Sequence, residues 1–191
     1  MSNKVKAPQG LTDGLTVRAG MFYQPNTARD EDSSVEFVLS TETPATIFDW
    51  SRYDYVQEIL RADGVQLPKS NQVPLLNSHN RNGIENILGS VREIRTENNQ
   101  VVGRLYFSQD KASQDAFNKI KEGHLDSGSV GYSQVNSEWI EKGDTLTYKG
   151  KRYEGGQLLT KEWALGEYSL VAIGADPNAK ARTEEKVTTR S

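Results

Sequence analysis

The spacing of turn signals constrains this chain more than any other feature, because it leaves room for many short strands and few helices. Turn sequences rich in Gly and Asn interrupt the apolar stretches at 97–99, 142–144 and 149–151. Alternation of apolar and polar side chains between such turns is typical of β-strands. The chain also lacks the strand–helix–strand periodicity that would favour a parallel sheet. The sequence therefore predicts a mainly β fold, a β-barrel decorated by helices.

The predicted strands lie between these turns. Val35, Phe37 and Leu39 fall on one face of the first well-patterned strand. The strands at 87–95 and 100–107 are predicted to form a hairpin. Further strands are predicted at 15–18, 74–79, 129–133 and 163–173. The stretch 163–173 contains the longest apolar run and is predicted to be a central strand.

Two helices are predicted beside the strands. Apolar residues recur at helical spacing over 52–63, and Gly64 can take the left-handed closing position. The second helix runs from a cap at Asp110 (or Ser108) to Glu122, and Gly123 ends it. The residues of this helix predicted to face the core are Ala112, Ala116, Phe117 and Ile120.

Length and charge limit the classes of protein to which the chain can belong. Its 191 residues suit one domain, which we expect to span 1–180, with 1–34 as a peripheral N-terminal segment and 181–191 as a polar tail. The 23 Lys and Arg residues against 26 Asp and Glu give a net charge of -3, which argues against a nucleic-acid-binding protein. No apolar run is long enough to cross a bilayer, so we expect no membrane partner and a cytoplasm-like compartment.

The side-chain chemistry is equally restrictive. The chain has no cysteine, which excludes disulfides, thiolate metal sites and cysteine nucleophiles. His79 and His124 are its two histidines, so a histidine-rich metal site is not expected. A hydrolase built from this chain would need Ser, Thr, an acid or an activated water as its nucleophile.

His79 and a glycine–serine segment are the residues best suited to catalysis. His79 lies where a predicted strand meets a polar loop, and the segment 125–132 presents Ser127 and Ser129 among glycines before another strand. A serine is a weak nucleophile until an imidazole removes its proton, and either His79 or His124 could do so. The alternatives are a surface histidine bonded to a carbonyl and an ordinary glycine–serine loop.

Glu167 and Asp126 are the two candidates for an acid that would orient the imidazole. Glu167 lies within apolar strand sequence, where an unpaired charge is costly. It therefore either orients a histidine or belongs to a structural ion pair, for which Arg92, Arg104 and Arg152 are available partners. Asp126 lies in a polar helix-to-strand turn, where an aspartate is ordinary.

Several blocks of sequence carry a family resemblance. In order along the chain they are 37–44, 73–81 (VPLLNSHNR), 88–91, 122–132 (EGHLDSGSVGY) and 163–176 (WALGEYSLVAIGAD). At these intervals they resemble the prohead serine proteases of tailed bacteriophages, whose fold is similar to that of the herpesvirus assemblins. The resemblance covers about 37–181, which is most of the chain.

The resemblance implies a role for three residues. His79 falls on the family's general base, and Ser129, rather than Ser127, falls on its nucleophile. The herpesvirus relatives have a second histidine after the nucleophile, whereas His124 precedes Ser129. An acid must therefore take that place, and we expect it to be Glu167.

The resemblance also implies a fold and a function. The expected fold is a small antiparallel β-barrel with flanking helices. The expected activity is that of a serine endopeptidase that cleaves scaffold protein or the scaffolding segment of the major capsid protein, and also itself, inside the prohead in the host cytoplasm. Self-association into a homodimer is expected, and no metal or cofactor is needed.

Three other functions compete with the protease. A non-catalytic β-barrel module could bind scaffold or capsid subunits during head assembly. An esterase could use the same triad, although the chain lacks a Gly-x-Ser-x-Gly elbow of the α/β-hydrolase type. A scaffold domain could also follow the protease in a longer gene product.

Overall fold

The computed structural model describes residues 26–182, which form eleven strands and one α-helix. The strand predicted at 15–18 and most of the predicted tail lie outside the described residues. Two 3₁₀ turns lie at Ala62–Gly64 and Ile84–Asn86. The elements are β1 Ser34–Thr41, β2 Ala45–Asp49, β3 Asp54–Leu60, β4 Val65–Gln66, β5 Val73–Asn77, β6 Ile87–Glu97, β7 Gln100–Phe107, α1 Lys111–Lys121, β8 Gly128–Ile140, β9 Thr145–Tyr148, β10 Lys151–Glu154 and β11 Gln157–Leu170.

Strand β11 is the centre of a nine-stranded sheet with the order β1-β7-β6-β5-β11-β3-β2. β8 pairs antiparallel with β11 along its length, while β3, β4 and β5 pair in turn with its other edge. The prediction of a central strand is confirmed, although it ends at Leu170 rather than at Ile173. The pairings of β11 with β3, β4 and β5 are parallel, so the expectation of an antiparallel sheet holds for only part of the fold.

The strand ladders of residues 26–182 do not close into a barrel, because the path begins at β1 and ends at β2. The segment 179–182 instead bridges β1 to the residues that precede β8. The Val38 N–H donates to the Lys180 carbonyl at 2.8 Å, and the Ala181 N–H donates to the Asp126 carbonyl at 3.0 Å. The mainly β prediction is confirmed, but the edges of β1 and β8 are joined by isolated bridges rather than by a continuous ladder.

The helix predicted over 52–63 is wrong. This segment forms β3, which pairs with β2 and β11, and then the short turn Ala62–Gly64. Val56 and Ile59, whose spacing suggested a helix, are buried at 7% and 5% exposure within the sheet. Both are β-branched and pack well on a pleated surface, so strand pairing outweighs a short helical pattern.

The second predicted helix is confirmed as α1. The Asp110 carboxylate accepts a hydrogen bond from the Ser113 N–H at 3.1 Å, and Gly123 ends the helix with φ of 80°. Ala112 is exposed rather than core-facing, and Ser113 is buried in its place. No helix within residues 26–182 is both long and apolar enough to cross a membrane.

A change of register in β11 separates the core from the site. Trp163 and Leu165 point into the main hydrophobic core, and so does Tyr168. The register with β8 shifts between Leu165 and Glu167, which changes the core-facing positions from odd to even numbers. Because side chains alternate along a strand, Glu167 and Ser169 lie on the opposite face of β11 from Tyr168.

Candidate active site

His79 lies in a tight turn at the end of β5. Ser78 and His79 have φ of 52° and 57°, in the left-handed region that is uncommon for residues other than glycine. The turn closes through the Asn80 N–H, which donates to the Asn77 carbonyl at 2.9 Å. The His79 N–H donates to the Ser169 hydroxyl at 3.0 Å. Strained backbone of this kind persists only where its surroundings hold it, and it is frequent at functional sites.

Glu167 is a buried carboxylate whose partner is His79. Its side chain is 4% exposed, and its Oε1 lies 2.6 Å from Nδ1 of His79. Oε2 accepts a hydrogen bond from the Ser169 hydroxyl at 2.9 Å, and Nη2 of Arg81 lies 3.4 Å from Oε1. When Nδ1 of His79 carries the proton and donates to Glu167, Nε2 is left as a proton acceptor.

Ser129 lies on β8, one strand away from Glu167. Its Cα is paired with that of Ser169, and residues directly opposite each other in a sheet project to the same face. Ser129 therefore shares a face with Ser169 and Glu167, and it is half-buried. Its hydroxyl forms no hydrogen bond with any residue of 26–182, including His79. In unliganded enzymes such bonds often tighten only when substrate binds.

Gly131 makes room for the carboxylate of Glu167. The two residues are paired across β8 and β11, and a Cβ at position 131 would lie 2.1 Å from Oε1 of Glu167. The sequence analysis placed this glycine in a glycine–serine segment beside Ser129 and did not predict its contact with Glu167. Gly131 belongs to the site because strand register pairs it with Glu167, which no local sequence pattern shows. Ser169 had a local signal, since residues two apart on a strand share a face and Ser169 follows Glu167 by two.

The competing candidates lie elsewhere. The Asp126 carboxylate is 2.8 Å from Nζ of Lys180 and accepts from the Ser127 hydroxyl at 2.7 Å. Burial alone would raise the pKa of Asp126, but the hydrogen bonds from Lys180 and then Ser127 outweigh burial and lower that pKa. His124 is 63% exposed and lies 3.7 Å from Glu122. Neither Asp126 nor His124 contacts His79, and the structural partner that the sequence left open for Glu167 is Arg81 rather than Arg92, Arg104 or Arg152.

Cavities surround the start of β8. One is lined by His79, Arg81 and residues 47–51, and another is lined by Ser129 together with residues of β1 and β3. Both also contact Tyr132, so the surfaces beside His79 and Ser129 adjoin each other. An extended peptide could lie across them. No group of three or more potential metal ligands occurs within residues 26–182.

Comparison with known proteins adds a family to this geometry. A model of the family described as caudovirus prohead serine protease matches residues 50–190, which include His79, Ser129 and Glu167. A search of curated proteins and a search of solved structures found no match.

Proposed function

Since the chain belongs to the caudovirus prohead serine protease family, we propose that it is a serine endopeptidase in which Ser129, His79 and Glu167 are the catalytic residues. The observation that carries this proposal is the 2.6 Å contact between His79 and the buried Glu167, on the sheet face that also presents Ser129. A buried acid that holds an imidazole beside a serine is the arrangement that activates a hydroxyl.

The proposed reaction is acyl transfer. The Ser129 hydroxyl attacks the peptide carbonyl while Nε2 of His79 takes its proton, and the resulting imidazolium is stabilised by Glu167. The same proton then passes to the leaving amine, so that the peptide bond breaks and an ester to Ser129 remains. A water molecule, deprotonated by His79, then attacks the ester carbonyl, and His79 returns the proton to the Ser129 oxygen as the acyl bond breaks and the acid product leaves. Substrate binding must bring the Ser129 hydroxyl within about 3 Å of His79 for the first step.

Family membership supports substrates that are proteins of the phage head. We propose that the enzyme cleaves scaffold protein or the scaffolding segment of the major capsid protein, and itself, inside the prohead within the host cytoplasm. Self-association into a homodimer remains part of this proposal, because herpesvirus proteases with the implied fold act as dimers.

One observation favours a second candidate. The Ser129 hydroxyl has no hydrogen bond to His79, as would be found in a non-catalytic module that binds scaffold or capsid subunits. Such a module would retain the fold and the binding surface while its serine stayed unreactive.

Labelling with a fluorophosphonate separates the two candidates, because only an activated serine reacts. We expect wild-type protein to be labelled and to cleave co-expressed head proteins, with the products identified by mass spectrometry. Ser129→Ala should lose both activities, while the matched control Ser127→Ala should keep most of each, since Ser127 bonds to Asp126 instead. Unlabelled wild-type protein, or cleavage by Ser129→Ala, would refute the proposal.

A further inference from the structure

The hairpin of β2 and β3 exposes a cluster of aromatic side chains. Trp50, Tyr53 and Tyr55 are 80%, 79% and 71% exposed. All three rings pack edge-on against Phe48, with centroid distances of 4.9, 5.5 and 5.2 Å. We call these four residues the aromatic hairpin. Rings grouped on a soluble surface in this way are typical of a binding site.

The tip of this hairpin is held in place rather than left to fray. The Asp49 carboxylate accepts hydrogen bonds from the N–H and the hydroxyl of Ser51 at 2.8 and 2.6 Å, and Nη1 of Arg52 lies 2.8 Å from it. The Ser51 hydroxyl and then Arg52 lower the pKa of Asp49 to about 2. The Arg52 guanidinium also stacks 4.6 Å from the ring centre of Trp139 on β8. The tip is therefore attached to the strand that carries Ser129.

Two residues of the aromatic hairpin, Phe48 and Trp50, line the cleft that contains His79, and Tyr53 and Tyr55 pack against Phe48. His79 and Arg81 line the same cleft. Its lining also includes residues 130–132 of β8, which follow Ser129 directly. A substrate chain held with its scissile bond at Ser129 would place a neighbouring side chain against these rings.

We propose that the aromatic hairpin is a specificity subsite, which binds an aromatic or large aliphatic side chain of the protein substrate next to the scissile bond. This inference rests on the proposed protease function. Extended peptides are recognised through pockets that take individual side chains, while the backbone supplies affinity. Aromatic rings offer a large apolar surface with little conformational freedom to lose.

The aromatic hairpin could instead bind a second copy of this chain, but its area is too small for that. Each aromatic side chain can bury roughly 150–250 Å², so three exposed rings offer at most about 750 Å². A specific protein interface needs about 800 Å² from each partner over a continuous surface. The continuity of the patch with the His79 cleft favours substrate.

Cleavage of a combinatorial peptide library tests the proposal, with the preferred residue at each position read by mass spectrometry. We expect wild-type enzyme to prefer Phe, Tyr, Trp or Leu at one position near the cleaved bond. Trp50→Ala and Phe48→Ala, which change the two rings that line the cleft, should lose on the order of 10- to 100-fold in kcat/KM on such peptides. On matched peptides with Ala at that position they should lose less than about threefold. Ile173→Ala, which removes a side chain 70% exposed and outside the cleft, is the matched control.

Two further measurements separate the possible failures. The rate of fluorophosphonate labelling reports the reactivity of Ser129 without a peptide side chain. A labelled enzyme with no apolar preference, or with a preference that Trp50→Ala leaves intact, would overturn the subsite and leave the protease proposal standing. An unlabelled wild-type enzyme would overturn both. Sedimentation of wild-type protein and Trp50→Ala completes the test, since a dimer lost in the variant would assign the patch to a second copy.

Discussion

Two buried glutamates, one on the central strand β11 and one on the neighbouring strand β3, differ in the groups that bind them. Glu58 and Glu167 are 2% and 3% exposed, and each accepts a hydrogen bond from a buried hydroxyl of β11, from Thr160 and Ser169 respectively. The other partners of Glu58 are the Tyr132 hydroxyl and the Gln134 amide, which are neutral donors. Those of Glu167 are His79 and Arg81, whose side chains reach the surface. Burial of a carboxylate is common to both sites, so it cannot identify the catalytic one.

The partners decide what each glutamate can do. No Lys, Arg or His within residues 26–182 forms an ion pair with Glu58, so its charge is stabilised by hydrogen bonds from groups that keep their protons. Burial, and then the charge of Glu58, raises the pKa of Tyr132, which therefore remains a donor. Glu167 instead faces the imidazole of His79, the type of side chain that most often transfers protons in catalysis. We therefore expect Glu58 to act on stability and Glu167 on catalysis.

The largest expected effect comes from removing the titratable partner of Glu167. His79→Ala should lower kcat/KM on the order of 10⁶-fold, about as much as Ser129→Ala, because members of a triad act as a unit. His124→Ala is the control, since that side chain is 63% exposed and its ion-pair partner is Glu122 rather than Glu167. Cleavage assays on both variants measure the difference. If His124→Ala were the inactive one, His79 would not be the base.

Replacement of each glutamate by its neutral amide tests the comparison directly. Glu167→Gln should fold and lower kcat/KM on the order of 10⁴-fold, because the amide cannot stabilise the imidazolium. Glu58→Gln should cost about 1–3 kcal/mol of unfolding free energy, because its amide group would face other donors, and should change kcat/KM less than about tenfold. Urea unfolding and cleavage assays measure the two effects. Equal loss of activity in two folded variants would contradict the division of roles.

A methyl group beside Glu167 should sharpen the comparison. Gly131→Ala places a Cβ 2.1 Å from Oε1 of Glu167 and should displace the carboxylate from His79. We expect kcat to fall about 10²-fold, because a displacement of about 1 Å in an active site can lower the rate by that factor. Gly166→Ala is matched to it, because its Cβ would meet only the Gly131 carbonyl at 3.3 Å. Similar activity in the two variants would show that the contact of Glu167 with His79 tolerates displacement.

The smallest expected effect concerns the two buried hydroxyls. Ser169→Ala removes a donor to Glu167 and the acceptor for the His79 N–H, so we expect a loss of about tenfold in kcat and about 1–3 kcal/mol of stability. Thr160→Val removes the corresponding donor to Glu58 and should cost similar stability with little change in kcat. Thermal unfolding and kcat measurements on both variants provide the readout. A larger fall in kcat for Thr160→Val would make Glu58 part of the catalytic machinery.

Much of the local structure could be predicted because its causes are local. The strand at Val35 to Leu39, the hairpin of β6 and β7, and the cap and glycine stop of α1 follow from side-chain alternation, turn residues and capping. The segment 52–63 could not be predicted in this way. Its short apolar pattern fits a helix equally well, and only pairing with β2 and β11 decides for a strand.

The candidate site also has features that local sequence predicts and features that depend on long-range contacts. The sequence limits the residue types available for catalysis, since two histidines, no cysteine and a glycine–serine segment leave few ways to build and activate a nucleophile. It placed His79 at the end of a strand and Ser129 at the start of another, because apolar stretches and turns set those positions. The choice between Glu167 and Asp126 as the neighbour of His79 depends on long-range contacts, because it requires β5 and β8 to pair with β11 in a particular register. Register is set by packing between segments up to about ninety residues apart, and no local pattern encodes it.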